Sequence, residues 1–259
     1  MTALLFHDIY LLDPAESGFT GAAADRYKLS KREFAAAVNA IGRAGSRVST
    51  DADDAAGGDT TLLTVDDGGA SFGGLFADEV ERRDWRAFVF MSTDMIGHRG
   101  FLDAVALRDL DARGHVVGSH SASHPTRFSA CDWRTMVREW RDSRVALEDC
   151  LGHRVRVASL PGGYFSTDVA RSAAEAGLDV LFTSEPVRGI RRIGGCSVVG
   201  RYTVRPGVSM RDLESVAGGG QLPLLRQRAV WTVKKIVKPV LGSAYPRLGA
   251  WLPVRRRSF

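Results

Sequence analysis

The chain has 259 residues, 44% hydrophobic and 25% charged, with a formal net charge of +5. That length favours one domain with a substantial core, a barrel or doubly wound sheet, over two small domains, and the composition is ordinary for a soluble globular protein. No stretch approaches the roughly 18 to 20 uninterrupted apolar residues of a membrane-spanning helix. The opening MTALLFHDIYLLDPAESG does not read as a signal peptide, because it lacks a basic start and Asp8 interrupts its short apolar run. Residues 4–10 read as a first strand. Ser30 and Glu33 form a capping-box pattern that opens a helix with Phe34, Val38 and Ile41 on one face. Residues 51–59, DADDAAGGD, read as an acidic loop of small residues. Strands follow at 61–65, 86–91 and 115–119, then a helix at 131–150 with Trp133, Val137, Trp140 and Leu147 spaced for one buried stripe. A strand at 155–159 precedes a helix at 166–177, with Ser166 as N-cap and Gly177 as terminator. Strands at 180–183 and 197–203 complete seven. Strand and helix in alternation predict an α/β fold with a mostly parallel sheet, whose site lies at the C-terminal ends of the strands.

The charge is unevenly placed. Residues 1–214 carry 26 Lys and Arg against 30 Asp and Glu, whereas residues 215–259 carry nine cations and no acid. The pattern changes after about Gly220, so the organisation expected is a catalytic domain over 1–220 and a basic, partly amphipathic tail over 221–259. The three cysteines, Cys131, Cys150 and Cys196, lack CxxC spacing and read as structural thiols in a reducing cytoplasm.

Two strand ends carry candidate chemistry. In LLTVDDGG (62–69) an apolar strand stops in two carboxylates and two glycines; adjacent carboxylates repel, so one needs a cation or a raised pKa. In GSHSASHP (118–125) a strand runs into His120 and His124, which converge on one cation if the residues between them form a single turn. Alone, the first is an ordinary turn pattern and the second a weak metal signal. Together, two imidazoles and a carboxylate make a facial set with open positions, as in hydrolytic zinc sites.

TVDDGG resembles the TFDDG motif of the polysaccharide deacetylase (NodB-homology) superfamily, and HSASH resembles its HSxxH motif. The resemblance covers about residues 4–205 and implies a distorted (β/α)7 barrel. By position it implies Asp66 as general base, and Asp67, His120 and His124 as ligands of one divalent metal, zinc first, with cobalt or nickel also suited. SLPGG (159–163) stands where the family has RxPxG, which implies that the Gly162 N–H helps bind the oxyanion; an ordinary turn is the other reading. Ser159 replaces the family arginine that orients the base, and Arg201 is a candidate substitute. No histidine follows His153, so the general acid of most members is missing. FHDI (6–9) is similar to the first-strand segment of the permuted poly-N-acetylglucosamine deacetylases, which implies His7 as the acid; a core histidine is the alternative. Asp8 either orients His7 or is solvated. His98 is placed in an exposed loop, and His115 and His153 are read as structural.

The reaction implied is removal of an N-acetyl group from a sugar or glycan, possible substrates including lipid-linked ones, by a metal-bound water. The alternatives are an amidase acting on a non-sugar C–N bond and a non-catalytic carbohydrate-binding relative. The basic tail, 225–259, has the alternation of an interfacial segment and is expected either to touch an anionic membrane from the cytoplasmic side or to pack on the domain. Nucleic acid is not an expected partner, since the folded domain is not the basic part.

Overall fold

The computed structural model describes residues 1–51 and 60–241, from 233 onward as helical backbone alone. The acidic loop expected at 51–59 lies, except for Asp51, outside the described residues, as does the tail beyond 241. In chain order the elements are β1 (Thr2–Phe6), β2 (Ile9–Tyr10), α1 (Ala22–Asp25), β3 (Leu29–Ser30), α2 (Lys31–Arg43), β4 (Arg47–Val48), β5 (Thr60–Val65), α3 (Leu75–Glu81), β6 (Phe88–Met91) and α4 (Ala104–Ala112). They continue with β7 (Val116–Ser119), α5 (Trp133–Leu151), β8 (Val157–Ser159), α6 (Thr167–Glu175), β9 (Val180–Thr183), β10 (Ile190–Ile193), β11 (Cys196–Gly200), β12 (Tyr202–Thr203), α7 (Met210–Ala217) and α8 (Leu222–Leu241).

The main sheet runs β10-β11-β9-β8-β7-β6-β5-β1-β12, and all neighbours on this path are parallel except β10 with β11. β11 and β12 are separated by Arg201 alone, yet they pair with opposite ends of the path, β11 with β9 and β12 with β1. One bend in the chain therefore closes the sheet. The fold is a distorted (β/α)7 barrel, with β11 and β12 together as the seventh parallel position. β10 was not legible as a strand because three of its four residues are exposed and two are arginines.

Side-chain alternation along each strand sorts two cores. Ala3, Leu62, Phe88, Phe90, Val157, Val180, Phe182 and Val199 form one cluster inside the barrel. Phe182 contacts Phe88 and Phe90 at centroid distances of 4.9 and 5.3 Å. Each such aromatic contributes about 2–3 kcal/mol by burial. The opposite faces of β1 and β5 (Leu4, Phe6, Leu63, Val65) join the outer core against α2, α3 and α7. A residue two places beyond an interior residue keeps its phase. His7, Asp66, His120, Ser159 and Arg201 all stand in that phase at the strand ends. Gly118 shares it, and a Cβ there would lie 2.7 Å from Val157 and 2.8 Å from Phe90, so the interior admits no side chain at that level.

α2 begins with the expected capping box of Ser30 and Glu33, worth about 1 kcal/mol. α5 starts at its Asp132 cap and ends on Gly152 in the left-handed region, φ 78°. Its buried stripe is Met136, Val137, Trp140, Ser143 and Leu147; Trp133, at the first helical position, is 39% exposed and does not belong to it. The division expected at residue 221 does not mark a break in packing. Leu224 of α8 is buried in the outer core, and the Gln227 amide both accepts from Thr203 N (2.8 Å) and donates to Thr203 O (2.9 Å). The two-residue β12 leaves these backbone groups unpaired on its outer side, and the side chain satisfies them as another strand would. No described helix is long and apolar enough to cross a membrane.

Candidate active site

Asp66 is buried at the end of β5. Arg201 clasps it in a two-pronged ion pair, Nη1 to Oδ1 at 2.7 Å and Nη2 to Oδ2 at 2.8 Å. Ser159 Oγ accepts from Nη2 at 2.7 Å and donates to Asp66 Oδ2 at 2.9 Å. The remaining guanidinium donors reach Thr183 O (3.0 Å) and Thr64 Oγ1 (3.0 Å), so this fully buried arginine has a partner in every direction. Burial alone would raise the Asp66 carboxyl, but Arg201 first, then His120 and His7, outweigh it and hold the group below its ordinary value. Arg201 thus reaches Asp66 from the strand that closes the barrel, and Ser159 is bonded to both of them.

Asp67 has a different environment. Its backbone sits at φ 82°, a conformation that L side chains rarely adopt. Its Oδ1 lies 3.3 Å from His120 Nε2 and 3.4 Å from His124 Nε2. Ser121 and His124 also have positive φ, 64° and 55°, so three of the four non-glycine residues with positive φ among the described residues belong to these two loops. Such conformations cost about 1–3 kcal/mol each and persist where the surroundings impose them. The turn is held by Ser121 Oγ accepting from His124 N (3.1 Å) and Ser119 Oγ accepting from Ser121 N (3.1 Å). Burial raises the Asp67 carboxyl, yet the two imidazoles overcome it and leave the group well below the carboxylate range; His124 is pushed up by the same contact against burial.

One ligand atom from each of Asp67, His120 and His124 lies within 4.8 Å of the others. His120 Nδ1 is 2.9 Å from the Ser159 carbonyl, which makes Nδ1–H the donor and leaves Nε2 facing Asp67. Two borderline nitrogens and one carboxylate oxygen, converging at a cavity, fit a divalent cation of the zinc type.

These residues open on a cavity of about 470 Å³ that Asp66, Asp67, His120, His124, His7 and Gly162 all line. His7 follows β1; its ring lies 5.0 Å from Tyr27, and its Nδ1 is buried without a partner among the described residues. Burial lowers its pKa, opposed by Asp67 and Asp66. Gly162 has φ 69°, and a Cβ there would stand 2.4 Å from Thr126 O, so the turn of SLPGG accepts only glycine at this point. Asp8 fits neither expected reading. It is buried, and Oδ1 accepts from Ser17 Oγ (2.6 Å) and Ser71 Oγ (3.0 Å), tying the start of the first loop to the chain just beyond DDGG. Burial outweighs the two serine hydroxyls and the charge of Lys28, and the carboxyl is pushed up to about 7.

His98 is exposed and away from the cavity, His153 pairs with Asp111 at the surface, and buried His115 bonds Glu81 and Ala87 N. Phe19, Tyr27, Tyr164, Arg205, Gln227 and Trp231 also line the cavity. No motif marks them; they come from loops and from α8, which the sequence assigned to an appended tail.

The polysaccharide deacetylase family model matches residues 53–181, which include both motif strands. Residues 53–181 therefore carry a polysaccharide deacetylase domain. Among curated proteins, a chitooligosaccharide deacetylase of Sinorhizobium fredii is 34% identical over 39% of this chain and 48% of its own length. The chain spans about half the length of the curated relatives it matches. Among solved structures, IcaB from Ammonifex degensii has a TM-score of 0.66 at 23% identity, covering 84% of this chain and 97% of that one. The Streptococcus pyogenes deacetylase PplD, solved in complex with acetate, has a TM-score of 0.70 at 16% identity over 84% of this chain and 97% of its own. At these identities the likeness is one of fold.

Proposed function

We propose that the chain is a metal-dependent de-N-acetylase acting on an N-acetylated sugar or glycan. The observation that carries this reading is the opening of a buried, arginine-held carboxylate and an Asp-His-His donor set onto one cavity. A divalent cation, zinc first with cobalt or nickel as alternatives, held by Asp67, His120 and His124, would supply Lewis-acid polarisation of the acetyl carbonyl and acidify a water. Asp66, kept ionised by Arg201, takes the proton from the attacking water. The Gly162 N–H donates to the oxygen on which negative charge develops. His7, whose burial makes its protonated form a readier donor, protonates the departing amine. Acetate and a free amino sugar leave.

The test measures acetate release from N-acetylhexosamine derivatives together with bound metal. Asp66→Asn is expected to abolish turnover and keep the metal, while His120→Ala loses both. Near-normal turnover by Asp66→Asn would sink the base assignment. A non-sugar amidase is separated by including non-sugar amides in the same panel. The non-catalytic reading rests on the missing arginine at 159; the Arg201–Asp66 pair and the full Asp-His-His set favour the catalytic one.

A cytoplasmic, membrane-adjacent placement with lipid-linked sugars in reach belongs to the same proposal. It is supported by the nine cations and absence of acids over 215–259, and by exposed Leu222, Leu225 and Val230 on α8. Deleting 225–259 would also remove Gln227 and Trp231 from the cavity wall. The cleaner experiment is co-sedimentation of Leu222→Asp/Leu225→Asp with anionic vesicles, where binding equal to the parent chain would remove the membrane from the proposal.

A further inference from the structure

Besides Tyr27 and Tyr164, the ionisable side chains that line the cavity are His7, Asp66, Asp67, His120, His124 and Arg205. The two carboxylates already have partners: Asp66 is held by Arg201, and Asp67 meets the two imidazoles. Arg205, two residues past β12, is half-buried in the wall, and its guanidinium has no hydrogen bond or ion pair with a described residue. The α8 side of the wall offers it no anion, and Glu33, which lines an adjoining small cavity with it, spends its carboxylate on Ser30. Gln227 spends both ends of its amide on Thr203, Val230 and Trp231 carry no charge, and no Asp or Glu occurs after Glu214. A cation partly withdrawn from water without a partner loses hydration for nothing in the free protein, and a guanidinium is shaped to return that loss by gripping two oxygens of one oxyanion.

Building on the proposed deacetylase reading, we infer that the substrate is an acetylated amino sugar bearing an anionic oxygen substituent, a phosphate ester in the first place, which Arg205 binds on the α8 side of the cavity. The acetamide then lies at the Asp66 side and the anion at Arg205, so one sugar unit is held at both ends. A neutral glycan would leave the guanidinium unmatched. A phosphate on a sugar has several sources, a monoester, a nucleotide diphosphate or a lipid phosphodiester, and Arg205 recognises what they share.

Four compounds decide it: N-acetylglucosamine 1-phosphate, its octyl phosphodiester, UDP-N-acetylglucosamine and neutral methyl N-acetylglucosaminide. Binding to zinc-loaded Asp66→Asn, which cannot turn substrate over, is measured by calorimetry beside acetate release by the parent chain. At least one phosphate ester is expected to bind about tenfold or more tightly than the neutral glycoside, with the preference shrinking as salt is raised. Adding Arg205→Gln should collapse that ratio to near one, and Arg205→Lys should restore part of it. Equal binding of all four compounds, or a preference that survives Arg205→Gln, overturns the inference. Acetate release without anion preference leaves the deacetylase reading standing and removes only this one. Anion-selective binding lost in Arg205→Gln, with no acetate released from any compound, does the reverse.

Discussion

Asp66 and Asp67 are neighbours in the chain and opposites in their surroundings. Asp66 is enclosed by a fully satisfied guanidinium and a serine hydroxyl on ordinary strand backbone. Asp67 sits on strained backbone and faces two imidazoles that are themselves held by turns of the HSASH loop. Strand alternation is the cause: one residue keeps the interior phase of β5, and the next turns out of it. Two like charges side by side are thereby separated into two environments, one closed by a guanidinium and one facing two imidazoles.

The largest effect expected from breaking the comparison lies on the Asp67 side. Asp67→Ala or His120→Ala should cost 10³-fold or more in turnover along with the bound metal, as read by metal analysis and acetate release. Asp66→Asn should cost roughly 10²- to 10⁴-fold with metal retained. Next comes the clasp: Arg201→Leu strands a buried carboxylate and should lower stability by about 3–5 kcal/mol in urea melts. Asp8 sharpens the contrast as a third buried carboxyl, held by two serine hydroxyls, with the charge of Lys28 too weak to offset burial. Its folded pKa, about 7 against 3.8 free, favours the neutral form. Its contribution to stability is therefore full below pH 3.8 and lost as pH rises toward 7, by at most about 4 kcal/mol. Asp8→Asn should flatten melting temperature across that window relative to the parent chain, and an unchanged pH slope would show that Asp8 does not titrate there. The smallest effect is Ser159→Ala, about 1 kcal/mol, because Arg201 still holds both carboxylate oxygens.

Much of this was legible in the sequence. Apolar runs between helical patterns located the seven strands of the barrel, and the DDGG and HSASH motifs gave residues that the fold does gather at one cavity. Arg201 was only a candidate, since nothing in one dimension says that β12 crosses to β1 and carries residue 201 over the barrel mouth. Trp133 was misplaced because helical spacing does not reveal where packing against the barrel begins. Asp8 was open between two readings because its partners, Ser17 and Ser71, lie on different loops. The role of α8 as a cavity wall was hidden by composition: cations and leucines without an evident stripe read as a tail, although Gln227 makes its first turns part of the barrel rim.

The bend at Arg201 also makes assembly of the barrel and arming of its base a single event. Until β12 docks beside β1, the guanidinium has no route to Asp66, and a nascent or nicked chain ending before residue 201 would leave that carboxylate without its cation. Such a fragment could complete six strand positions and still lack the arginine that holds Asp66. The Arg201–Asp66 pair is thus the contact that synthesis supplies last, together with closure of the sheet.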